Sequence, residues 1–280
     1  MANPAPAIRL RALTLMDVLD ESFRIYRANF PVLAGLAVLL SIPLLVIQLA
    51  SGSVNALTAA YGSIVGGSST PPSDLTFGNP FVSLLQYPVS LALLPFIYGS
   101  LYAASVAIVL GTPVTIVSAL RTVLRRYWAL WAIAFLYGLA SVTLCLPPLG
   151  VWLLTKLSLM FPAIFTEQAS LSSSIERSWR LTDGAFWRTF VVLLLSYLLA
   201  QILASSLGGV FIAAAWLFPS LPLQIRIVLT VAVTQLMVQL VEPIVAIAVT
   251  LLYFDRRVRL EAFDLEVMAY QLTPGQGGSS

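Results

Sequence analysis

The sequence predicts an all-α polytopic membrane protein: six transmembrane helices arranged as three hairpins, each preceded by a basic amphipathic helix on the inner membrane surface. Three observations predict it. The first is composition. Hydrophobic residues make up 59% of the 280 residues, charged residues 10%, and the mean hydropathy is +0.93. So few charges cannot cover a water-exposed surface. A spanning backbone must satisfy its own hydrogen bonds, which leaves helices or closed barrels, and the alternation of barrel strands does not occur. The second is a figure that appears three times. Leu15, Leu19 and Phe23, then Ile116, Leu120 and Leu124, then Leu171, Ile175 and Trp179 each fall at helical spacing along one face. An arginine follows each third stripe residue (Arg24, Arg125, Arg180), and an aromatic lies seven residues beyond that stripe residue (Phe30, Trp131, Phe186). The third is charge asymmetry. Almost all arginines fall in segments on one side of the spans, and basic residues stay cytoplasmic, so both termini are expected inside.

Taken in order, residues 1–13 form an N-terminal tail and residues 14–271 the membrane domain. Thr14 is placed to cap the first surface helix, with Asp17 three residues on. The first span is expected at about 30–49, long enough for a hydrocarbon core of about 30 Å. The polar stretch 51–80 is read as an outer loop, with a short helix near Val54–Tyr61. The second span, about 81–110, carries Pro88 and Pro95 and is expected to kink or break. The second surface helix ends in LRTVLRRYW. Spans three and four are expected at about 128–146 and 149–165, joined by a tight turn at Pro147 and Pro148. The third surface helix, LSSSIERSWRLTDGAF, leads to the fifth span at about 186–204, which Gly208 and Gly209 are expected to break. Val210–Phe218 is too short to cross. The sixth span is expected at about 227–253, and residues 272–280 are read as a flexible tail. The first apolar run begins only at Phe30, too late for a cleaved signal peptide.

Chemistry is sparse. There is no histidine, and Cys145 is the single cysteine. The commonest general base and metal ligand are therefore lacking, as is any internal disulfide. No phosphate loop and no Gly-x-Ser-x-Gly motif is present. We therefore expect no enzyme, no cofactor and no metal. The pI of about 9.2 is a topology signal and not a sign of nucleic-acid binding. The partners implied are the bilayer and its anionic headgroups, which Arg24, Arg125, Arg180, Arg256 and Arg257 are candidates to contact, together with an unidentified membrane protein.

Charges within spans are the other candidates. Lys156 falls in the fourth span and Glu242 in the sixth. Each costs about 2.5–3.5 kcal/mol at mid-membrane on insertion scales, so partners are expected. Gln235, Gln239 and Glu242 occupy i, i+4 and i+7, one polar face, with Pro243 beside it. Pairing of Lys156 with Glu242 across a packed interface stands against the alternative that Lys156 snorkels and Glu242 is protonated or reaches water.

Three stretches carry a resemblance: LRALTLMDVLDESFRIYRANF, FPAIFTEQASLSSSIERSWRLTDGAFWR and LLYFDRRVRLEAFDLEVM. Together they resemble the bacterial family named after the membrane domain of some glycerophosphoryl diester phosphodiesterases. The likeness is clearest at Pro162, Glu167, Ser178, Trp179, Gly184, Trp187, Tyr253, Asp255, Arg257, Glu261, Phe263 and Asp264. The resemblance implies a membrane module only. Hydrolysis in such enzymes belongs to a separate soluble barrel with histidines and a metal, so no catalytic residue carries over. The leading expectation is a non-enzymatic protein of the bacterial inner membrane, a scaffold or accessory to lipid- or envelope-linked processes. The alternative is a small-solute or lipid transporter using the polar face around Glu242.

Overall fold

A computed structural model describes residues 13–50, 80–167, 170–218 and 220–261. The rest of the N-terminal tail, the outer loop with its short helix, and the segment after Glu261, including Phe263, Asp264 and the 272–280 tail, lie outside these. The chain is an all-α polytopic membrane protein, and six helical stretches are long and apolar enough to cross a bilayer. Among the described residues the order is α1 (Leu15–Ala28), α2 (Phe30–Ala50), α3 (Pro80–Val109), α4 (Ile116–Arg125), α5 (Tyr127–Val142), α6 (Pro147–Leu157), α7 (Met160–Thr166), α8 (Leu171–Thr182), α9 (Phe186–Trp216) and α10 (Leu223–Glu261).

The repeated figure folds the same way each time. A short basic helix stops for one to three residues and a spanning helix follows. Asn29 separates α1 from α2, Arg126 separates α4 from α5, and the turn 183–185 separates α8 from α9, with Gly184 at φ 72° where a side chain would be strained. Thr14 and Asp17 close a capping box on α1, as expected, and Thr115 and Ser118 close one on α4. The buried face, however, is not centred on the predicted stripe. It lies three residues later in every copy: Val18 and Ser22, Ala119 and Val123, Ser174 and Ser178 are buried. These residues are mostly small, so each short helix packs closely on the bundle, and the larger stripe residues flank the contact. Leu124 of the second stripe is 66% exposed.

Two expected breaks do not occur. α3 continues through Pro88 and Pro95, and α9 continues through Gly208 and Gly209 for 31 residues. Glycine is tolerated inside spanning helices because no water competes for the backbone. Gly208 is buried against α10, where a Cβ would meet Met237 at 3.6 Å, an ordinary packing contact. One unexpected break does occur. The fourth span is split at Ser158 and Leu159, between α6 and α7. Ser178 of α8 mends it. Its hydroxyl donates to the Lys156 carbonyl at 2.6 Å and accepts the Leu159 N–H at 3.1 Å.

α10 is the axis. It packs against α1, α2, α3, α7, α8 and α9. At about 1.5 Å per residue its 39 residues run roughly 58 Å, more than a hydrocarbon core. Its buried stretch from Ala246 through Phe254 forms the centre of the largest core cluster, with α1, α2 and α3 packed around it. Trp128 and Trp187, in the first turns of α5 and α9, are strongly exposed at the arginine-rich end, as in aromatic belts at a membrane interface.

Candidate intramembrane site

Two polar features stand out, and they have different characters. The first is a set of ion clusters at the arginine-rich end. Asp255, whose side chain is fully buried, accepts the Leu13 N–H at 2.8 Å, Arg188 Nη2 at 3.0 Å and Arg259 Nε at 3.0 and 3.1 Å. Arg188 and Arg259 both also donate to the Leu13 carbonyl. Glu167 accepts Arg177 Nε at 2.6 Å and the Tyr253 hydroxyl at 2.6 Å, with Arg257 Nε at 3.8 Å. Arg256 donates to the carbonyls of Leu181 and Asp183. Lys156 pairs with Asp183 and lies over the Trp179 ring, 5.7 Å from its centroid.

This geometry corrects two expectations. Lys156 does not pair with Glu242. Its partner is Asp183, in the turn after α8, because the interrupted fourth span ends α6 against that turn. Arg256 and Arg257 do not present themselves to headgroups. They are engaged within the protein, whereas Arg24, Arg125 and Arg180 are exposed. Arg24 is drawn to Glu21 at 2.5 Å, and that hydrogen bond and charge hold its guanidinium more firmly protonated than usual.

The second feature is a cavity of about 460 Å³ around Glu242. Five segments supply its wall at helical spacing. α3 contributes Leu94, Tyr98 and Tyr102, α5 contributes Ala134, Tyr137, Gly138 and Ser141, and α9 contributes Leu193 and Tyr197. Ser158 and Phe161 come from the split fourth span, and Glu242, Val245 and Val249 from α10. Tyr102 stacks on Phe161 with centroids 4.8 Å apart and planes 5° apart. Tyr98, Tyr102 and Tyr137 line the same space as Glu242. The cavity reaches the outer face of the bundle along Tyr98, Gly138 and Tyr197, all of which are exposed. Glu242 sits roughly 20 Å along α10 from Asp255, at about 1.5 Å per residue. Among the described residues, nothing forms a hydrogen bond or ion pair with its carboxylate.

Of the predicted polar face only Glu242 lines this space, and Gln235 and Gln239 do not. Four tyrosines were not singled out from the sequence. Their signal was present: Tyr98 and Tyr102 share a face at i, i+4, and Tyr137 and Tyr197 lie well inside their spans, away from the ends where interfacial aromatics belong. Among the described residues no group of three or more His, Cys, Asp or Glu comes together as a metal site. Comparison with family models, with curated proteins and with solved structures finds no match to this chain.

Proposed function

We propose that this chain is a non-enzymatic multi-pass protein of a bacterial plasma membrane that takes a small solute or lipid from the bilayer into the cavity around Glu242, as a transporter does. One observation carries the reading: an ionisable side chain, without a hydrogen-bond or ion-pair partner among the described residues, faces a largely apolar hollow within the bundle. Packing alone gives no reason for it. An ordinary core closes such a space, and an unpaired acid at that depth is costly. A volume of several hundred cubic ångströms with few polar groups on an apolar wall is typical of small-molecule pockets. In this reading the arginine-rich end and both termini are cytoplasmic, and Arg24, Arg125 and Arg180 meet anionic headgroups. The resemblance to phosphodiesterase membrane modules is kept as part of the proposal. The residues that carry it, such as Glu167, Tyr253, Asp255 and Arg257, belong to the ion clusters that hold the helices together.

The test is carbene labelling in liposomes with a diazirine-bearing fatty alcohol, read by peptide mass spectrometry. Label is expected on the peptide containing Glu242. It should fall at least fivefold in Gly138→Leu, because a side chain at Gly138 meets nothing within 4 Å and lies on the cavity wall. Labelling confined to lipid-facing residues such as Phe135 and Leu139, unchanged by the substitution, refutes the reading.

A scaffold role is the second reading, favoured by the outward faces of the short helices. Met16, Val117 and Leu124 are exposed there, the last two beside Arg121 and Arg125. Reproducible recovery of one membrane partner, lost on Val117→Asp, supports it, and recovery unaffected by that change counts against it.

A further inference from the structure

The cavity has a chemical preference written into its wall. Its one formal charge is the Glu242 carboxylate, and the nearest cation of the fourth span, Lys156, is already paired with Asp183. Among the described residues, no lysine, arginine or histidine lines the space. A carboxylate removed from water without a counter-ion is strongly disfavoured, so the site takes up either a proton or a cation. Four of the other lining residues are tyrosines, set among aliphatic and small side chains. Tyr98, Tyr102, Tyr137 and Tyr197 come from three different helices, so their rings surround the space instead of forming one stripe. Ring faces are electron-rich and attract cations, most strongly where water is excluded. Strongly hydrated inorganic ions are poor candidates, since aromatic walls cannot replace their water. An alkylated ammonium is weakly hydrated and fits. The exposed position of Tyr98 and Tyr197 puts the mouth on the lipid-facing side of the bundle, so the ligand arrives with an apolar portion already in the bilayer.

We propose that the cavity binds the ammonium head of an amphiphilic organic cation, with Glu242 as its counter-ion and the four tyrosines as its aromatic cage. This rests on the reading of the cavity as a ligand site and adds the class of ligand. Two features give the assignment its content. The charge of the head is matched by Glu242, and its alkyl surface by ring faces whose hydroxyls are not needed. A neutral molecule of the same shape finds the second and not the first.

The experiment compares benzyltrimethylammonium with its neutral carbon isostere, neopentylbenzene, on the full chain in lipid nanodiscs. Binding is followed by saturation-transfer NMR against empty nanodiscs. The cation is expected to bind at least tenfold more tightly than the isostere. Glu242→Gln, which keeps size and hydrogen-bonding capacity, should remove that difference while leaving the isostere unchanged. Tyr197→Leu should weaken the cation threefold or more and Tyr197→Phe should not, because the ring face and not the hydroxyl is used. Tyr197 is half exposed, so neither change threatens the fold. Equal binding of both probes, insensitive to Glu242→Gln, overturns the cation assignment and leaves the cavity as a neutral-ligand site. Binding of neither overturns both.

Discussion

Replacing Asp255 by Asn tests whether the ion cluster holds the bundle together. The carboxylate is fully buried and accepts from one backbone N–H and two guanidinium groups at 2.8–3.1 Å. Asn keeps the shape and one acceptor oxygen but removes the charge that balances Arg188 and Arg259. Breaking a buried pair by removing one partner costs about 3–5 kcal/mol, because the other charge is left uncompensated. Here the arginines are partly exposed, at 26% and 35% of their side-chain surface, so water recovers part of the loss. The lower end, about 3 kcal/mol, is expected, which is roughly a hundredfold in the unfolding equilibrium. The assay is reversible unfolding in mixed micelles with increasing dodecyl sulfate, followed by near-ultraviolet circular dichroism. Arg188→Gln should then cost less in the Asp255→Asn background than in the wild type, since the contact it removes is already broken. A single-variant change within about 0.5 kcal/mol, the range of an ordinary surface substitution, would refute the reasoning.

Three further outcomes are expected. A double-mutant cycle of Lys156→Met with Asp183→Asn should show coupling above about 0.5 kcal/mol, and the cycle of Lys156→Met with Glu242→Gln should not. The reverse result would restore the Lys156–Glu242 pairing, one of the two alternatives the sequence left open. Gly150→Ala should destabilise by about 1–3 kcal/mol, because a Cβ there would lie 2.6 Å from the backbone of Leu144, which cannot turn aside as a side chain can. A thermal midpoint equal to wild type would contradict that. Burial raises the Tyr26 phenol from 10 to about 12, and its hydroxyl donates to the Leu240 carbonyl at 2.6 Å. The raised pKa means the folded state holds this proton more tightly than the unfolded state. The associated stability is therefore complete below about pH 10 and lost between pH 10 and 12. Tyr26→Phe should flatten that part of the pH–stability curve, and an unchanged slope would show that Tyr26 does not supply it.

The sequence made the spans legible because apolar length and arginine placement act locally, one helix at a time. The capping of α1 by Thr14 and Asp17 was legible for the same reason. The Glu242 site was half legible: a lone acid in an apolar run announces itself, but the tyrosines that surround it come from other helices, from Tyr197 in α9 back to Tyr98 in α3. Spacing along one helix says nothing about which neighbour faces it. Lys156 shows the same limit. Asp183 and Glu242 carry equal charge, and only the split of the fourth span at Ser158 decides between them. That split has a local mark, Pro162, which lacks the N–H that would bond the Ser158 carbonyl four residues back, but the mark does not say which acid the split brings to Lys156. The split also depends on Ser178, 19 residues beyond Leu159, which accepts the orphaned Leu159 N–H. Gly208 and Gly209 misled in the opposite direction, because glycine breaks a helix in water but is tolerated inside a spanning helix, where no water competes for the backbone.

The Leu13–Asp255 contact joins residues 242 positions apart, and this sets an order of assembly. When α2 first enters the bilayer behind α1, the acid that will fasten Leu13 has not yet been synthesised. The earlier hairpins must hold their places while Arg188 still lacks its counter-charge, and the clasp snaps shut only once the last helix is threaded. A ribosome stalled before residue 255 therefore leaves a bundle whose two ends are free to drift apart.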